Sequence, residues 1–107
     1  MKNLITVFIL ASVLASSAQA TTIKGPGGES CSTWIKERKE DGEATRYTQM
    51  WVLGYVSGLN TSGALEKDIM KKVDANRLFD WIDTYCKRNL LDRIVEASNN
   101  LVNELHK

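Results

Sequence analysis

Apolar residues along this chain fall at helical spacing, and no alternating segment of any length interrupts them. Cys31, Trp34 and Ile35 recur at i, i+3 and i+4, while Lys36, Glu37, Lys39 and Glu40 belong to water. That predicts a first helix over 31–40, capped by the Ser30 hydroxyl and ended by Asp41-Gly42. A second helix is predicted over 43–59. Tyr47, Met50, Trp51, Gly54, Tyr55 and Gly58 fall on one broad face, Val52, Val56 and Leu59 on a neighbouring one. No charge occurs between Arg46 and Glu66. A helix so apolar on several sides reads as the central one. Gly54 and Gly58 each forfeit about 1 kcal/mol of helix propensity relative to Ala. Close backbone packing is the first use for such a pair; a hinge or a ligand groove is the other.

Asn60-Thr61-Ser62-Gly63 is a turn signal that also matches the N-glycosylation sequon, a match read here as chance. Residues 64–73 read as a short helix or an ordered loop over the core. Asp74 then caps a third helix to about Lys87, burying Leu78, Trp81 or Ile82, Tyr85 and Cys86. Asn89 with Asp92 resembles a capping box and opens a fourth helix. Its stripe is Leu91, Ile94, Ser98, Leu101 and Leu105, widened by Leu90, Val95, Ala97 and Val102. The expected class is all-α: a compact bundle of about four helices.

The first twenty residues follow a different pattern. Lys2, the mostly apolar run Leu4 to Leu14 and the small-x-small site Ala18-Gln19-Ala20 form a secretory signal peptide over 1–20. The run is shorter than the roughly 20 residues of a membrane span, and no cysteine stands at the cleavage point to take a lipid anchor. The mature protein is expected to begin near Thr21, in the periplasm or outside the cell. Gly25-Pro26-Gly27-Gly28 marks 21–29 as a flexible leader, and 30–107 as a single helical domain. Export changes the reading of Cys31 and Cys86, the only two cysteines. In an oxidising compartment they are expected to pair, tying the start of the first helix to the end of the third. Helices one and three would then be fastened around the second, with the fourth as a lid.

Beyond residue 20 stand 13 Lys and Arg, 13 Asp and Glu, and His106. This even balance argues against a general nucleic-acid binder, which carries a basic excess. Catalysis finds little purchase. A Ser-His-Asp triad would need the penultimate His106, expected in a solvated, frayed tail. The pairs Glu40/Asp41 and Asp80/Asp83 read as solvated carboxylates, and the Gly-rich stretch lacks the lysine and preceding strand of a phosphate loop. There is no C-x-x-C, and one histidine with two cysteines does not fill a four-ligand zinc shell. No enzyme, cofactor or metal is expected. Most aromatics read as core, but Trp34, Trp51, Tyr55 and Trp81 are candidates for a partner surface. Lys67, Lys71 and Lys72 could meet an acidic cleft from the loop, while Arg38, Arg46, Arg77 and Arg88 are expected to be exposed.

The segments Cys31-Ser32-Thr33-Trp34-Ile35, Gly54-Tyr55-Val56-Ser57-Gly58 and Trp81-Ile82-Asp83-Thr84-Tyr85-Cys86, followed by the amphipathic stretch Leu90 to Leu105, carry a resemblance. In layout the chain resembles the small exported helical proteins of the HdeA/HdeB acid-chaperone type, and also Tai-type immunity proteins, which neutralise secreted amidase toxins. Either resemblance implies a periplasmic, four-helix, disulfide-tied protein-binding protein. Two functions follow as expectations. One is a chaperone that opens in acid and offers the Tyr47–Leu59 surface to client proteins. The other is a folded binding module, an immunity protein or an inhibitor of a cell-wall enzyme. A structural protein of no defined activity is the plainest third.

Overall fold

Helix signals and observed helices agree closely along most of the chain. The computed structural model describes residues 21–107, so the predicted signal peptide lies outside the described residues. A short 3-10 turn at Pro26–Gly28 precedes four helices: α1 (Cys31–Glu40), α2 (Glu43–Thr61), α3 (Ala75–Arg88) and α4 (Ile94–His106). Among the described residues there is no strand, only an isolated bridge between Ser30 and Arg93. The protein is an all-α bundle with one disulfide, Cys31–Cys86, whose Cα atoms are 4.9 Å apart.

Capping chemistry sets the starts. Ser30 Oγ accepts from the Thr33 amide at 3.3 Å, and Asp74 Oδ1 accepts from the Arg77 amide at 3.0 Å. Asp41 ends α1 in the left-handed conformation, its amide donating to Glu37 O. The fourth helix starts later than expected. Its cap is not Asn89 with Asp92 but Arg93 with Glu96, whose Oε1 accepts from the Arg93 amide at 2.6 Å. The reason is backbone pairing: the Cys31 amide donates to Asp92 O and the Ile94 amide to Glu29 O, which holds the turn at 90–92 and Arg93 beside the entry to α1. Leu90 and Leu91, expected in the apolar stripe, therefore sit in the connection and are 49% and 94% exposed.

α3 packs against α1 and α4, and α2 against α1, α4 and the 3-10 turn. Trp34, Val52, Val56, Leu78, Ile82, Ile94 and Leu101 form the interior with both cysteines. Ile94, Ala97 and Leu101 are fully or almost fully buried, so α4 is a wall of the core, not a lid. α2 is not central either. It buries Thr45, Thr48, Val52 and Val56, while Tyr47 and Met50 stay 69% and 66% exposed. Residues 62–74 form an ordered loop in which Ile69 is buried; Asn60 Oδ1 accepts from the Ile69 amide and Asn60 Nδ2 donates to Asp68. The sequon asparagine is thus fully engaged within the fold.

Glycine reverses two expectations. Gly54 and Gly58, expected at a close helix contact, face open space: a Cβ at either would meet nothing within 4 Å. The tight glycine is Gly27 in the supposed flexible leader, where a Cβ would lie 2.1 Å from Trp51 Cη2. The leader packs, its 3-10 turn lying under the Trp51 ring and the Thr21 carbonyl accepting from Arg93 Nη1 at 2.7 Å. Gly27→Ala should accordingly cost about 1–3 kcal/mol by overpacking, whereas Gly54→Ala and Gly58→Ala should each stabilise by up to about 1 kcal/mol. Urea denaturation of the three variants checks both signs; a stabilised Gly27→Ala would remove the Trp51 contact.

Candidate functional site

The densest polar cluster lies where α1 crosses α3. Trp34 and Arg38 are four apart on α1, and Asp80 and Asp83 three apart on α3, so each pair shares a helix face. Packing brings the four together. Asp83 Oδ1 accepts from Trp34 Nε1 at 2.7 Å and from Arg38 Nε at 2.8 Å, while Oδ2 accepts from Arg38 Nη2 at 2.7 Å. Asp80 adds a longer contact to Nη2 of 3.4 Å. The guanidinium also lies over the Trp34 ring, 5.9 Å from its centroid. The Asp83 hydrogen bonds hold the Arg38 pKa above its ordinary value. Asp80/Asp83 is therefore not simply a solvated pair, and Arg38 is not free.

Trp34, a candidate for the partner surface, has no exposed area and belongs to the core. Its indole N–H has to be satisfied inside the fold, which Asp83 does. Beside this cluster a groove of about 490 Å³ opens between α1 and α3, lined by Ile35, Arg38, Lys39, Asp41, Asp83 and Lys87.

The other candidate residues are scattered over separate faces. Trp51 and Tyr55 are half-buried and stacked, with ring centroids 5.0 Å apart; Tyr55 Oη donates to Asn99 Oδ1. Trp81 is half-buried and stacked on Tyr85, and it lines an apolar hollow between α3 and α4 with Val73, Leu78, Leu101 and Leu105. Lys67 reaches the carbonyl of Lys107 at 3.1 Å, and Lys71 and Lys72 are exposed on the loop. His106, expected in a frayed tail, donates from Nε2 to the Leu65 carbonyl at 2.7 Å. The exposed pair Tyr47 and Met50, beside a hollow that Glu43 and Arg46 also line, was legible as apolar but not as exposed.

Carboxylates fasten the other junctions. Glu37 Oε1 accepts from Thr48 Oγ1 at 2.7 Å, joining α1 to α2. Asp92, in the α3–α4 connection, accepts from Tyr85 Oη; burial first, then this bond, pushes the Tyr85 pKa up to about 12. Burial pushes the Glu96 carboxyl up, but the side-chain and backbone bonds from Arg93 outweigh it and hold it below its ordinary value of 4.5. The Asn60 amide and the Met70 N–H likewise lower Asp68. Among the described residues no group of three or more His, Cys, Asp or Glu could hold a metal ion, and no helix is long and apolar enough to cross a membrane.

Comparison with protein-family models, with curated proteins and with solved structures finds no match.

Proposed function

We propose that this chain is an exported, non-catalytic protein-binding protein that shields other proteins in acid, in the manner its resemblance to the HdeA/HdeB type implies. One observation carries the reading: carboxylates fasten several of its helix junctions and two of its helix caps, while a covalent clasp indifferent to pH, the Cys31–Cys86 bridge, holds α1 to α3. Asp83 ties α1 to α3, Glu37 ties α1 to α2, Asp92 joins Tyr85, Glu96 caps α4 and Asp74 caps α3. Asp68 holds the loop to α2 through Asn60.

Protonation strips the charge from these acceptors, weakening the bonds they accept, and leaves about 14 positive side chains with no negative ones. Self-repulsion then opens the bundle. The direction follows from the shifts at Glu96 and Asp68. Both are depressed in the folded state, so what they contribute is complete above the ordinary carboxylate range and lost as pH falls through the lowered values. An opened chain offers Val52 and Val56 beside the already exposed Tyr47 and Met50.

The purified protein, bridge intact, is expected to lose near-ultraviolet dichroism and bind a hydrophobic dye at about pH 2–3, and there to suppress aggregation of an acid-labile client. Retained tertiary structure at that pH, or opening without protection, rejects the reading. A folded-state inhibitor or Tai-like immunity role is the second reading, favoured by the pinned loop 62–74 and its exposed Lys71 and Lys72. Its mark is a stable complex with a toxin or cell-wall enzyme at pH 7.

A further inference from the structure

The α1–α3 groove is a feature of the closed bundle, lined by three cationic and two anionic side chains around Ile35. Asp83 is occupied by Arg38 and Trp34. Lys39 and Lys87 are exposed, and neither is in an ion pair among the described residues. Arg38 gives Nε and Nη2 to the aspartates, and its Nη1 makes no hydrogen bond among the described residues. Held by that chelate and by the Trp34 ring, the guanidinium loses little further freedom when an acceptor arrives.

The helices run antiparallel: Cys31 stands beside Cys86, Trp34 beside Asp83 and Arg38 beside Asp80. Lys87 therefore lies toward the start of α1 and Lys39 toward its end, with Ile35 between them. In that register Lys87 is level with about residue 30–31 of α1, so at 1.5 Å per residue the two cations are about 12–14 Å apart along the groove, roughly four residues of an extended segment. That is the reach of two acidic side chains on one short segment. The volume of about 490 Å³ lies in the range of ligand-sized clefts. Asp41, at the end of α1, repels a further carboxylate and so bounds the acidic run.

We propose that this groove docks an acidic segment of a partner protein, two Asp or Glu side chains meeting Lys39 and Lys87 over Ile35 with Arg38 Nη1 between them. The site belongs to the closed bundle, so it stands whether or not the protein opens in acid.

The test is fluorescence anisotropy at pH 7 and low salt with a labelled deca-glutamate peptide, against deca-lysine of equal length. Deca-glutamate should bind and deca-lysine should not. Lys39→Gln/Lys87→Gln should weaken binding about tenfold, whereas Lys71→Gln/Lys72→Gln should change it less than about twofold. Free glutarate should compete only at about a hundredfold higher concentration. Absence of deca-glutamate binding overturns the proposal, as do equal binding of deca-lysine, equal loss in both double variants, or glutarate competing at peptide concentrations. Amide shifts of the unmutated protein on titration give a readout that needs no variant: they should cluster at 35–39 and 83–87, and clustering elsewhere rejects the site.

Discussion

Reduction of the Cys31–Cys86 bridge is expected to lower the melting temperature by roughly 15–30 °C. The bridge spans 55 residues of chain. Releasing a loop of that length returns about 4 kcal/mol of conformational freedom to the unfolded state on the chain-entropy account. A bundle this small holds only about 5–15 kcal/mol in all, and each kcal/mol moves the midpoint of an 87-residue domain by about 4–8 °C. Both cysteines are completely buried, so a Cys31→Ala/Cys86→Ala variant keeps the site apolar and separates lost connectivity from a newly buried polar group. Calorimetry with and without reductant measures the shift. A change under about 5 °C would mean that the non-covalent core alone holds α1 to α3.

Replacing Asp83 should have the next largest effect. Asp83→Ala strands the Trp34 indole N–H in the core and leaves Arg38 with only the long contact to Asp80. Hydrogen bonds to charged groups contribute about 1.5–3 kcal/mol each, and breaking a fully buried ion pair costs about 3–5 kcal/mol. The two side chains here are 29% and 24% exposed, so solvent screens part of that. About 3 kcal/mol is the expected loss. Asp83→Asn keeps the Oδ1 acceptor for Trp34 and should cost about half as much. Arg38→Ala leaves the Trp34–Asp83 bond standing and should cost less than Asp83→Ala. A double-mutant cycle on Arg38 and Asp83 by urea denaturation checks the coupling; additive single effects would show that the two side chains contribute independently and that their ion pair adds nothing.

Helix positions were readable because they depend on local chemistry: Ser30 and Asp74 as caps, and the spacing of Cys31, Trp34, Leu78, Ile82, Ile94 and Leu101. The cysteine pairing was readable because only one intramolecular pairing exists. The candidate site was not. Apolar spacing marks Tyr47, Met50, Gly54 and Gly58 as one face of α2 but carries no information on whether another element covers it. Trp34 as surface and Arg38 as a solvated cation failed for one reason: each depends on Asp83, 49 and 45 residues away in the chain.

By itself the order of residues determined an all-α chain, the caps of α1 and α3 and a single covalent clasp, because propensity, capping and cysteine arithmetic act within a few residues or by elimination. Tertiary structure alone decided which faces are covered, where α4 begins and which carboxylates are structural. Burial and long-range hydrogen bonds depend on what lies across the core, and no local pattern records that.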